Sequence, residues 1–192
     1  VTTEFVNDPI VPLELGLGDG VRRYTLYQPG WYVTDSDTGS FLGRESEVYG
    51  FDSLEELADY LDETGADGRH DLAHSEHFAA VLEWSQEDFT DRLCVYNLPE
   101  LPELVDRHLD QDEQASLGST LALLLDLLDY TNIEDEHADA LRDDDDVSKL
   151  AAGDEVLAVF TAERHRQHVV ELLQQHWTHC VATVAAHVSK PE

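Results

Sequence analysis

Ten histidines in a chain of 192 residues are the groups here most suited to chemistry, and three of them, His70, His74 and His77, fall at HxxxHxxH spacing. Residues three and four apart on a helix share a face, so their imidazoles converge and offer the nitrogen ligands that zinc or nickel takes. His70, His74 and His77 are therefore the candidate metal ligands. The glutamate of HExxH is missing, because Asp71 follows His70 directly. With it goes the general base of a metalloprotease. A second set, His165, His168, His176, His179 and His187, falls within about 100° on a helical wheel and makes a single stripe. The plainer reading of the first set is a polar helix end. For the second it is a surface that gains positive charge as pH falls through the ~6.5 of free histidine.

Other chemistries find less to work with. Cys94 and Cys180 stand alone, without CxxC or zinc-finger spacing, and read as buried thiols. The run Asp143–Asp146 lacks the alternating oxygen ligands, the central glycine and the terminal glutamate of an EF-hand loop, so residues 134–146 are expected to form a solvated loop. Gly16-Leu17-Gly18-Asp19-Gly20 matches neither GxxxxGK[ST] nor GxGxxG and reads as a hairpin turn. No GxSxG elbow or cofactor fingerprint occurs. With 42 Asp and Glu, a pair of neighbouring carboxylates carries no weight for acid–base catalysis. No cofactor is expected.

The elements that must hold these residues are best marked between Tyr24 and Leu61. Tyr24, Leu26, Trp31 and Tyr32 have the aromatic and apolar content of a half-buried strand, punctuated by Pro29-Gly30. A turn is expected in 34–40. Phe41-Leu42 and Val48-Tyr49, each followed by glycine, read as a tight pair of strands. Ser53 with Glu56 makes a capping box, Phe51 sits at the hydrophobic staple position, and Leu54, Leu57, Ala58 and Leu61 repeat at helical spacing. Upstream, Leu13, Leu15 and Leu17 alternate as an edge strand would and pair with Val21–Tyr27.

The pattern Tyr24, Trp31, Phe41-Leu42-Gly43, Tyr49-Gly50-Phe51, Ser53 and Leu57 resembles the N-terminal region of an actinobacterial family labelled "primosomal protein", which includes the export chaperone SatS. The resemblance implies an adaptor or chaperone-like factor in protein export, with client holding credited to a C-terminal domain beyond this chain.

After residue 65 the pattern turns helical. Residues 71–84 read as a helix, Leu93–Tyr96 as a strand returning to the sheet, and Pro99 and Pro102 as a helix start. Gln111–Tyr130 is the most apolar helix. Leu117, Leu121, Leu124, Leu125 and Leu128 face the core, while Asp126 and Asp129 mark the wet side. The last helix, about Thr161–Val188, carries Val170, Leu173, Trp177, Val181, Val184 and Val188 as its apolar stripe. The expected fold is α+β: a small N-terminal antiparallel sheet with a capped helix, packed on a helical bundle. A β-rich unit (1–64) and a helical unit (65–192) together make one compact domain.

The net charge of −31, with 11 Lys and Arg against 42 Asp and Glu, opposes nucleic-acid and anionic-membrane binding. Its acidity serves either basic partners or solubility in salt. No signal peptide is readable, and the apolar run Leu121–Leu128 is far short of the ~20 residues of a membrane span. These features predict a non-enzymatic, acidic, cytoplasmic interaction protein with a protein partner, no nucleic acid and no membrane insertion. The alternative is a metal-dependent enzyme using His70, His74 and His77.

Overall fold

The computed structural model describes residues 9–30, 39–65, 69–105, 110–153 and 163–191. Trp31, Tyr32, most of the turn expected at 34–40, residues 66–68 and Thr161 lie outside the described residues.

Strands β1 (Val11–Gly18) and β2 (Val21–Gln28) form a hairpin. Its turn is Gly18-Asp19-Gly20, where all three residues have positive φ. Strand β3 (Ser40–Phe41) adds to β2, and a strand from the helical half of the chain, β6 (Cys94–Asn97), runs parallel to β1. The order is β3-β2-β1-β6. β1 is thus an inner strand and not the edge expected from its alternation, because β6 returns to cover its outer side. Leu13 and Leu15 are fully buried, and Gly16 is required where the strands meet: a Cβ there would lie 2.7 Å from the Asn97 amide oxygen.

A second, smaller sheet contains β4 (Gly43–Arg44), β5 (Glu47–Tyr49) and β7 (Val188–Ser189), with β7 parallel to β5. Both sheets therefore draw a strand from beyond residue 65. Val188, expected to close the apolar stripe of the last helix, belongs to this strand.

The first sheet has a core on each face. On one, Ile10, Leu26, Leu42 and Phe51 pack against α1 (Leu54–Thr64), α2 (Phe78–Val81) and Phe89 of α3 (Gln86–Asp91). Ser53 caps α1 by accepting from the Glu56 amide, and the Glu56 carboxylate reaches back to the Asp52 amide. On the other face, Leu13, Leu15 and Tyr96 meet the bundle of α4 (Leu101–Val105), α5 (Gln111–Tyr130), α6 (Glu136–Arg142), α7 (Asp145–Ala152) and α8 (Glu163–Ala186).

In α5, Leu121, Leu124 and Leu128 are buried as expected for the central helix. Asp126 is not on a wet face. It accepts a hydrogen bond from the Tyr27 hydroxyl, and burial raises its pKa against the lowering pull of Tyr27 and the Gly39 amide. The acidic stretch 134–146 is not a loop either. Ala138 and Leu141 bury one face of α6 and Val147 one face of α7, while Asp135 and Asp144 are the N-caps of these helices. An aspartate at a helix start satisfies orphan amides and sits well in the helix dipole; for that reason a like-charge run here begins helices. Trp177 of α8 is buried, and its indole N–H donates to the Leu98 carbonyl at 2.7 Å.

Candidate functional site

The three histidines read as metal ligands stand on a broken segment. Asp71–His74 is one 3-10 turn, Ser75 is extended, and the Ser75 hydroxyl accepts from the His77 amide before α2 begins. His77 therefore stands apart from His70 and His74, and His70 only caps the turn that ends at His74. His70 is buried edge-on against Phe78, with ring centroids 4.6 Å apart and, among the described residues, no hydrogen-bond partner for either nitrogen. Its burial pushes the imidazole pKa down. His74 is exposed, and the His77 Nε2 lies 3.6 Å from the neighbouring Glu76. Among the described residues, the group of three whose ligand atoms gather closely enough for one ion is Asp144, Asp146 and His168.

That group is part of a seam along α8 and His187 just past its end, where each member of the C-terminal histidine stripe meets a partner from another element. His165 Nδ1 lies 2.8 Å from Asp146 Oδ2, and His168 Nε2 lies 2.6 Å from Asp144 Oδ2. His176 Nδ1 meets His137 Nδ1 at 2.9 Å, and His179 Nε2 meets Asp135 Oδ2 at 3.2 Å. The His137 ring stacks on His179, and His187 lies 3.3 Å from Glu47. Two of the carboxylates are N-caps, so the seam joins α8 to the starts of α6 and α7. Burial pushes the Asp144 carboxyl up, but His168 and the amides of Val147 and Asp146 together hold it below the usual range. In return, the hydrogen bond to Asp144 raises the pKa of His168. The sequence shows the stripe but not its partners: aspartates ahead of Ala138, Leu141, Val147 and Leu150 are a helix-start signal, but nothing in the run says that the helices they cap face α8.

A cleft of about 340 Å³ opens at the end of the first sheet, lined by Glu14, Gly16, Val21, Arg22, Val95 and Asn97 among others. Val21 and Val95 are the large apolar side chains most exposed among the described residues, at 40% and 49%. Glu14 is held in place by Arg22 Nη1 at 2.5 Å and by the Tyr24 hydroxyl, which donates at 2.9 Å. β6 forms this edge of the sheet. An edge strand presents backbone groups to any extended chain that comes alongside. Sequence reasoning missed the cleft, since it is assembled from the hairpin and a strand more than seventy residues away in the chain.

No helix among the described residues is long and apolar enough to cross a membrane. A family model, the SatS C-terminal domain, matches residues 10–185. A solved structure, the crystal structure of the SatS C-terminal domain in complex with bromine, aligns with a TM-score of 0.59 at 22% identity, covering 98% of this chain and 97% of that one. No curated protein matches the chain. The likeness expected for the N-terminal region of this family thus falls on its C-terminal domain.

Proposed function

This chain belongs to the SatS C-terminal domain family, and from that premise we propose that it is a non-enzymatic, chaperone-like interaction protein of the cytoplasm that holds extended segments of proteins bound for export. The observation that carries this reading is the cleft at the β6 edge. There, exposed Val95 lies on the edge strand β6 and exposed Val21 on the hairpin across the cleft, while Asp19 and Glu100 supply an acidic rim. Backbone pairing at a sheet edge gives affinity without demanding one sequence, while side-chain pockets add preference. The acidic rim, in a chain of net charge −31, favours apolar segments with basic flanks. The domain credited with client holding is also the one that the family model matches. Family membership favours this reading over catalysis, and the metal-dependent alternative draws no support from the way His70, His74 and His77 are placed.

Light scattering tests the proposal. A basic protein unfolded in guanidinium and diluted into buffer aggregates less when this chain is present in equimolar amount. Val95→Lys, at a half-exposed position, weakens that protection without lowering the melting temperature. Undiminished aggregation, with no complex on size-exclusion chromatography, would overturn it.

A further inference from the structure

We propose that Asp144, Asp146, His165 and His168 form a binding site for a divalent transition-metal ion of the zinc class, which clamps the start of α7 to the first turns of α8. The site is separate from the cleft at the β6 edge and independent of the chaperone-like reading. His165 and His168 are three residues apart on one face of α8. Across from them, the start of α7 presents both aspartates. One ligand atom each from Asp144, Asp146 and His168 lies within 4.8 Å of the others, and His165 Nδ1 approaches Asp146 Oδ2 to 2.8 Å.

A tetrahedral ion with bonds of about 2.0–2.2 Å holds its ligand atoms roughly 3.4 Å apart. Asp144, Asp146 and His168 therefore reach that arrangement by movements on the order of 1 Å, within the freedom of their outer torsions, and His165, already in contact with Asp146, is the fourth ligand offered from the same helix.

The backbone already orients part of the set. Asp144 Oδ1 accepts the amides of Asp146 and Val147, both at 3.0 Å, which leaves Oδ2 turned toward His168. Such support behind a ligand fixes its direction and is typical of metal-binding carboxylates. Two imidazole nitrogens with two carboxylate oxygens suit zinc, cobalt or nickel, whereas calcium and magnesium take oxygen ligands. The charge of the whole chain raises the local concentration of cations, and an ion here offsets the repulsion within Asp143–Asp146. The spacing that suggested a metal in the sequence belongs to His70–His77; the side chains that converge are those of the aspartate run and the C-terminal stripe.

The test is a titration of the chelator-treated full chain with cobalt(II), followed by visible absorption, and with zinc by calorimetry. One ion binds per chain, and cobalt gives the intense bands of a tetrahedral site, which zinc abolishes. His165→Gln and His168→Gln each weaken binding by about 10–100-fold or more, the loss seen even for groups one shell further out. Both side chains are about half exposed, so these variants keep the circular dichroism of the parent chain. His176→Gln, on the same stripe but outside the set, leaves the affinity unchanged. The proposal is overturned if the parent chain shows no saturable one-to-one binding or no tetrahedral cobalt bands, or if it binds equally well without His165 and His168. Loss of binding in His176→Gln would move the ion elsewhere on the stripe and overturn it too.

Discussion

His70 and His168 show the two opposite things that a fold does to an imidazole. His70 is buried with no hydrogen-bond partner among the described residues, and desolvation lowers its pKa below the free value. The unfolded chain therefore binds the proton more readily, and the contribution of His70 to stability is present above ~6.5 and lost as pH falls below it. His168 is raised by its bond to Asp144. Its contribution is fully present below ~6.5 and is lost as pH rises through the folded value. Urea midpoints measured between about pH 5 and 8, with a chelator present, separate the two. His70→Phe, a volume-matched apolar replacement, reduces the loss of stability on acidification. His168→Gln instead removes a gain on acidification, and the effect is small because the ring is half exposed. If both variants track the parent at every pH, neither imidazole is coupled to folding as its surroundings require.

Among the elements, α5 carries the bundle, since Leu121, Leu124 and Leu128 are nearly inaccessible. Leu124→Ala is expected to cost about 2–5 kcal/mol in denaturant unfolding, the range for a core leucine truncation. A change within about 0.5 kcal/mol, as at ordinary surface sites, would place α5 at the periphery. This helix was legible in the sequence to its ends, Gln111 and Tyr130, because leucines at helical spacing state both period and burial. The hairpin turn at Gly18–Gly20, the cap at Ser53 and the returning strand at Cys94–Asn97 were legible on similarly local grounds. What could not be read depended on partners distant in the chain. β1 looks like an edge until β6 covers it, and Asp126 looks wet until Tyr27 donates to it. Asp135 and Asp144 cap helices on local grounds, but their pairing with the histidines of α8 is seen only when that helix lies across from them. The helical spacing of His70, His74 and His77 was a local signal that Ser75 cancels, by accepting from the backbone where a helix would have to continue.

At the scale of the molecule, charge is the quantity that everything else must accommodate. Arg22, Arg23, Arg142 and Lys190 all pair with carboxylates of the same chain, so these cations are engaged within the fold. The melting temperature is expected to rise as sodium chloride shortens the screening length from about 30 Å at 0.01 M to about 3 Å at 1 M. A flat or falling curve would show that the acidic surface is not self-repulsive. On the same grounds, fluorescence anisotropy at about 0.15 M salt should detect no DNA binding, since such affinity draws chiefly on clustered cations. The second sheet bears on the order in which the molecule is expected to assemble. Val48 pairs with Val188, and the amides of Val48 and Gly50 donate to the carbonyls of His187 and Ser189. Strands β4 and β5 can form their hairpin early, whereas the third strand is expected to arrive after α8 has docked, because the entropy of closing so long a loop is met by contacts nearer in the chain. β7 is therefore expected to close late, as a latch. Protection of the Val48 and Gly50 amides is the sign that the last helix has found its place.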